Sequence, residues 1–117
     1  LVSRRKENLE TVAKEVKEAG GTSHIFATDL TKEGNPDSAV KFGIEKMGQI
    51  GTLVNNAGMG RFEMVPDIKD ESFQEQFQLN VWACMAMVRS AVPYFKKNGG
   101  GQIINIGSIV GYLGISK

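Results

Sequence analysis

Short apolar runs alternate along this chain with longer stretches of helical periodicity, and this alternation limits its fold more than any other feature. The runs are the stub Leu1-Val2-Ser3, the segment His24 to Leu30, the segment Ile50 to Val54, and the segment Gln102 to Ile106. From about Arg5 to Ala19, Leu9, Val12, Val16 and Ala19 recur at spacings of three and four, which predicts a helix. Glu10/Lys14 and Lys14/Glu18 are spaced for surface ion pairs, and Gly20-Gly21 ends the helix as a glycine cap would. A second helix is predicted from Asn35-Pro36-Asp37 to Gly48, with Asn35 as its cap and Val40, Ile44 and Met47 on one face. The order strand, helix, strand, helix, strand, long helix, strand means right-handed βαβ crossovers. The expected fold is therefore α/β, with a parallel sheet covered on both faces.

The long helix is predicted from about Glu71 to Lys97. One apolar stripe holds Phe73, Phe77, Val81, Cys84, Val88, Val92 and Phe95, and a second holds Leu79, Ala83, Ala86 and Tyr94. A helix apolar on so much of its surface is expected to be covered on two sides, by its own sheet and by a partner helix or subunit.

Ligands of such sheets gather at the carboxyl ends of the strands. Here those ends are Ser3-Arg4-Arg5, Asp29-Leu30, Asn55-Asn56-Ala57-Gly58 and Gly107-Ser108. Two adjacent asparagines are odd at the end of a buried strand, because Asn is a poor strand former. They read either as a simple strand-to-loop turn or as a backbone platform on which Ala57 and Gly58 let a flat ligand lie close. Ser108 reads either as a turn cap or as a donor to a substrate oxygen. It is not a hydrolase nucleophile, because no Gly-x-Ser-x-Gly surrounds it and the only histidine, His24, opens another strand. Asn80 falls in an apolar arc of the long helix, where a buried amide needs partners.

Composition removes other classes. The 14 Lys+Arg and 13 Asp+Glu leave a net charge of +1, so nucleic-acid binding by bulk positive charge is not expected. No apolar run reaches the ~20 residues of a membrane span. The single cysteine, Cys84, excludes an internal disulfide and a zinc site built on cysteine pairs, so no metal site is expected and a reducing, cytoplasmic setting fits.

Taken together, Asn55-Asn56-Ala57-Gly58, then Asn80, then Ile104-Asn105-Ile106-Gly107-Ser108 resemble the short-chain dehydrogenase/reductase family, over essentially the whole chain. The resemblance implies a Rossmann-like, doubly wound parallel sheet that binds NAD or NADP. It implies that Asn56, Ala57 and Gly58 lie along the cofactor, and that Asp29 contacts the adenine with Leu30 beside it. It implies that Ser108 hydrogen-bonds the substrate oxygen and that Asn80 holds a water in the proton relay. It further implies that residues 1–117 are a partial domain, cut at both ends. The family's glycine-rich loop and first strand would precede Leu1, and its Tyr/Lys pair would follow Ser108 by about a dozen positions. Tyr112 and Lys117 have the wrong spacing for that pair and are not assigned to it. Without a first strand between them, the Asp29 strand is expected not to join the Asn55 strand. Relatives often carry Asp at Gly51 and Ser at Gly107, departures expected to loosen local packing.

Ser3-Arg4-Arg5 occupies the strand end where NAD-specific members usually place an acidic residue. A carboxylate there would repel a 2′-phosphate, whereas guanidinium groups pair with it bidentately. NADP(H) is therefore expected ahead of NAD(H), with Arg4 the first contact, Arg5 the second and Ser3 adding a hydroxyl. The implied activity is hydride transfer between the nicotinamide and a small carbonyl or alcohol, in a homo-oligomer packed through helix 71–97. Ile109 to Tyr112 are candidates for the substrate pocket. The alternatives are a non-catalytic NAD(P)-binding regulator or structural subunit, and a minimal binding module formed by these 117 residues alone.

Overall fold

The computed structural model describes residues 1–111 and Leu113. Its strands are β1 (Val2–Ser3), β2 (Phe26–Ala27), β3 (Thr52–Asn55) and β4 (Gln102–Asn105). Helix α1 (Lys6–Glu18) crosses from β1 to β2, α2 (Asn35–Met47) follows β2, and α3 (Asp70–Phe77) leads toward α4 (Cys84–Lys97) before β4. All pairing is parallel. Val2 and Ser3 stand opposite Phe26 and Ala27, and Thr52 to Asn55 stand opposite Gln102 to Asn105. Among the described residues β1 pairs only with β2, and β3 only with β4. This is the separation expected between the Asp29 and Asn55 strands.

The strand expected from His24 to Leu30 shrinks to two residues. Thr28 N still donates to Ser3 O, but at Asp29 the carboxylate accepts from both the backbone and the hydroxyl of Thr31. This local turn competes with the ladder and takes the chain out of the sheet. Helix α1 loses one residue at each end of its expected span, and its ion pairs are Lys6–Glu10 and Lys14–Glu18. Asn35 does not cap α2. Gly34, at φ +80°, holds the cap position, and Asn35 Nδ2 instead donates to Asp29 O at 2.8 Å. Gly48, at φ +75°, ends α2 in a backbone conformation that favours glycine.

The expected long helix is interrupted by a π-helical segment, Gln78–Ala83, between α3 and α4. The wider turn breaks the 3.6-residue phase, so the predicted stripe from Phe73 to Phe95 is not one face. Phe95 is buried, whereas Phe73 and Phe77 are 61% and 53% exposed. The inner face is instead Ala83, Ala86, Met87, Ala91 and Phe95. Met87, Ala91 and Phe95 pack with Ala39 and Val40 of α2, and Val2, Phe26, Leu53 and Ile103 from all four strands lie against them. One core thus serves both strand pairs. Ser90 Oγ donates to Asp37 Oδ1 and ties α4 to α2. A Cβ on Gly101 would lie 2.3 Å from the Phe95 ring, so the turn into β4 has room only for glycine. Cβ atoms on Gly51 and Gly107 would meet nothing within 4 Å, so the two departures from the family pattern carry no packing defect.

Candidate functional site

Within each pair the two strands run parallel, so the carboxyl ends of β1 and β2 lie together, and so do those of β3 and β4. A cavity of about 730 Å³ runs between the two strand pairs, lined by Leu1, His24 and Ile50 at their amino ends and by the loops after β1, β2 and β3 at their carboxyl ends. Between these ends it is walled by Val2 on β1 and by Thr52, Leu53 and Val54 on β3. Ser3, Arg4 and Arg5 at the end of β1, Asp29 and Leu30 after β2, and Asn56, Ala57 and Gly58 after β3 line its carboxyl-end part. The eight residues read from the sequence as cofactor contacts therefore share one cavity wall.

Asp29 is held in its ionised form. Its Oδ1 accepts from Thr31 Oγ1 at 2.7 Å and from Thr31 N at 3.0 Å. The hydroxyl bond lowers its pKa most; partial burial opposes this, and the Thr31 N–H and the charges of Arg4 and Lys32 add to the lowering. Thr31 was not singled out from the sequence, although an Asp with a Thr two positions on is a turn signature that would have found it. Gln78 Nε2 donates to Thr31 O at 3.2 Å and links this turn to the π-helical segment. At the end of β1, Arg5 and Asn8 lie together, the Asn8 oxygen accepting from Arg5 Nε and Nη2 at 3.2 Å when its carboxamide faces them. Arg4 is exposed, and its charge acts on Asp29.

Beyond β3, Asn55 is buried and its Nδ2 donates to Asn105 Oδ1 of β4 at 2.9 Å. Ile106 N donates to Asn55 O at 2.9 Å, which carries the ladder one step further and sets Gly107-Ser108 beside the Asn56-Ala57-Gly58 turn. Ser108 is exposed and precedes a 3₁₀ turn, Ile109–Gly111. Its Oγ accepts from Val110 N at 3.4 Å, a long contact that leaves the O–H to donate elsewhere.

Asn80 is not buried, contrary to expectation. It lies in the π-helical segment, where its Oδ1 accepts from Met59 N at 2.9 Å and its Nδ2 donates to Met59 O at 2.8 Å. The carboxamide thus pairs with one backbone residue as a neighbouring strand would. A Cβ on Gly58 would lie 3.3 Å from Asn80 Oδ1, so glycine permits this approach. Neither Asn80 nor Ser108 lines the cavity. Of the substrate-pocket candidates, Tyr112 lies outside the described residues, as does Lys117.

The donor set suits a dinucleotide. It offers a guanidinium for a phosphate, a carboxylate for an amino group, and an exposed Asn-Ala-Gly turn with little side-chain bulk. Among the described residues, no three His, Cys, Asp or Glu gather to hold a metal ion, and no helix is long and apolar enough to cross a membrane.

Parallel strands joined by covering helices define a Rossmann-like α/β protein. The family model for short chain dehydrogenase matches residues 1–117, and the chain belongs to that family. It is 39% identical over 93 residues to the uncharacterized oxidoreductase YusZ of Bacillus subtilis, covering 78% of this chain and 32% of that protein. It is 30% identical over 109 residues to the 3-oxoacyl-[acyl-carrier-protein] reductase FabG of Thermotoga maritima, covering 93% of this chain and 44% of that one. A crystal structure of a short-chain type dehydrogenase/reductase from Mycobacterium marinum matches with a TM-score of 0.93 at 25% identity, covering 99% of this chain and 47% of that one. The chain spans less than half the length of these relatives.

Proposed function

We propose that this chain is part of an NADP(H)-dependent oxidoreductase that moves a hydride between the nicotinamide and a carbonyl or alcohol carbon. The observation that carries this reading is that Ser3, Arg4, Arg5, Asp29, Leu30, Asn56, Ala57 and Gly58 all line one cavity. Arg4 pairs with the 2′-phosphate; Arg5, placed beside Asn8, is second, and Ser3 adds a hydroxyl. NAD(H) lacks that phosphate and binds less well. Asp29, kept ionised by Thr31, accepts from the adenine amino group. Asn56, Ala57 and Gly58 lie along the dinucleotide.

The nicotinamide supplies the hydride when bound. Ser108 donates its O–H to the substrate oxygen and fixes the carbonyl for attack. Asn80 holds the Met59 backbone and so fixes the loop behind the Asn-Ala-Gly turn, and it keeps the proton path ordered. The polypeptide extends beyond residues 1–117 and works in the cytoplasm. Its outward apolar stripe, Phe73, Phe77, Val81 and Met85, packs against a second copy.

The test is consumption of NADPH by the complete polypeptide with a panel of ketones and aldehydes. The reading expects carbonyl-dependent turnover that Ser108→Ala lowers by about 10²-fold. Binding of NADPH without turnover on any carbonyl would instead favour a non-catalytic family member.

A further inference from the structure

The π-helical segment Gln78–Ala83 carries two carboxamide side chains that hold two different loops. Asn80 pairs with the backbone of Met59, in the loop after β3. Gln78 Nε2 donates to Thr31 O at 3.2 Å, in the turn after β2. β2 and β3 belong to different strand pairs, and among the described residues no ladder joins them. The segment therefore ties together two loops that the strands leave independent.

The turn after β2 is closed by its own residues. Asp29 Oδ1 accepts from Thr31 N and Thr31 Oγ1, and Asp29 O accepts from Lys32 N at 3.2 Å and from Asn35 Nδ2 at 2.8 Å. The longest of these bonds spans six residues, so they set the shape of the turn and not its place against the rest of the molecule. The bond from Gln78 spans 47 residues and does set that place. Asp29 and Leu30 line the cavity, as do Leu79 and Ala83 of the π-helical segment, whereas Gln78 and Thr31 do not. Gln78 is half-buried and supports this wall without being part of it.

Resting on the reading of Asp29 as the adenine contact, we infer that Gln78 is a positioning residue for adenine recognition: by holding Thr31 O it sets the Asp29 carboxylate where the amino group of the base meets it. Without that bond the turn keeps its internal shape, but its long-range anchor is gone and the carboxylate no longer stands at one fixed place. A contact that depends on the direction of one donor then weakens, although every atom that makes it is still present.

The experiment is fluorescence titration of the complete polypeptide with NADPH and with deamino-NADPH, in which a carbonyl oxygen stands where adenine has its amino group. The ratio of the two Kd values is the readout, because an unfolded fraction cancels from it. The parent should favour NADPH by at least about 10-fold, since the missing bond is one to a charged acceptor. Gln78→Met, of similar length and without a donor, should cut that ratio about 5-fold. Gln78→Glu, which stays polar but offers Thr31 O no N–H, should cut it at least as far. In an Asp29→Ala background, Gln78→Met should change the ratio no further. A ratio unmoved by both Gln78 variants, or moved equally with and without Asp29, overturns the positioning role and leaves the adenine contact intact. A parent that binds both nucleotides equally overturns the Asp29 contact and the inference with it. Absence of binding to either overturns the NADP(H) reading as well.

Discussion

Asn55 and Asn105 stand opposite each other in the β3–β4 ladder, and the Asn55 amide donates to the Asn105 carboxamide oxygen across 2.9 Å. Asn55 is only 7% exposed, so its amide has little water to replace that partner. The pair closes the last rung before both chains leave the sheet, one toward the Asn56-Ala57-Gly58 turn and one toward Ser108. Replacing Asn105 with Ala leaves the Asn55 amide without this acceptor, at a cost of about 1–3 kcal/mol. Chemical denaturation of the complete polypeptide should show that loss. An Asn55→Ala/Asn105→Ala double variant should lose less than the sum of the two single changes.

The Asn80 carboxamide makes two bonds to one backbone residue, so the oxygen and the nitrogen are both needed. Asn80→Asp keeps the acceptor for Met59 N but sets a second oxygen against Met59 O. Asn80→Ala removes both bonds. Because the loop they fix follows the proposed cofactor turn at Asn56-Ala57-Gly58, kcat should fall by about 10²-fold in Asn80→Ala, with a smaller change in the Kd for NADPH. Steady-state kinetics together with fluorescence titration of NADPH would separate the two effects.

That Asn56, Ala57 and Gly58 leave the sheet was legible in the sequence because their residue types are wrong for strands. Asn56, Ala57, Gly58, Asp29 and the Arg4-Arg5 pair could be picked out before any packing was known. The helix from Glu71 to Lys97 was legible as helical but not in phase. Phe73, Phe77 and Val81 repeat every four residues and fit one continuous stripe, and nothing in their types announces the wider turn at Gln78–Ala83. That turn decides which residues face the core, and it places Asn80 against Met59. Asn35 was misread for a related reason. Its type suits a cap, but Gly34 can adopt the positive φ that starts α2 and leaves the Asn35 amide to serve Asp29 O.

Thr31 sets the acid behaviour of Asp29. The folded-state pKa lies below the ordinary value of 3.8, so the ionised carboxylate stabilises the fold above that pH. The stabilisation is lost as pH falls below 3.8 and passes through the folded value. Thr31→Val removes the hydroxyl bond, the largest cause of the shift, and should move the Asp29 pKa back toward the ordinary value. Carboxyl titration followed by NMR would measure this directly. Acid unfolding curves should show a smaller loss of stability between neutral and acid pH in the variant than in the parent.

Phe77 stands on the outward face of α3, 53% exposed, in line with Phe73. If a second copy covers this face, Phe77→Glu buries a charge in the interface and should shift the complete polypeptide from oligomer to monomer at micromolar concentration. Sedimentation velocity of the two proteins side by side would show it. A parent that sediments as a monomer would remove the proposed interface.

If Arg4 holds the 2′-phosphate as proposed, its reversal to Asp is the most direct test of the cofactor choice. Measure kcat/KM for NADPH and NADH with the complete polypeptide and its Arg4→Asp variant, using one carbonyl substrate throughout. The parent should prefer NADPH by at least about 10-fold, and Arg4→Asp should remove or invert that preference, mainly through the KM for NADPH. A parent that uses NADH as well as NADPH, or a preference that survives Arg4→Asp, would contradict it.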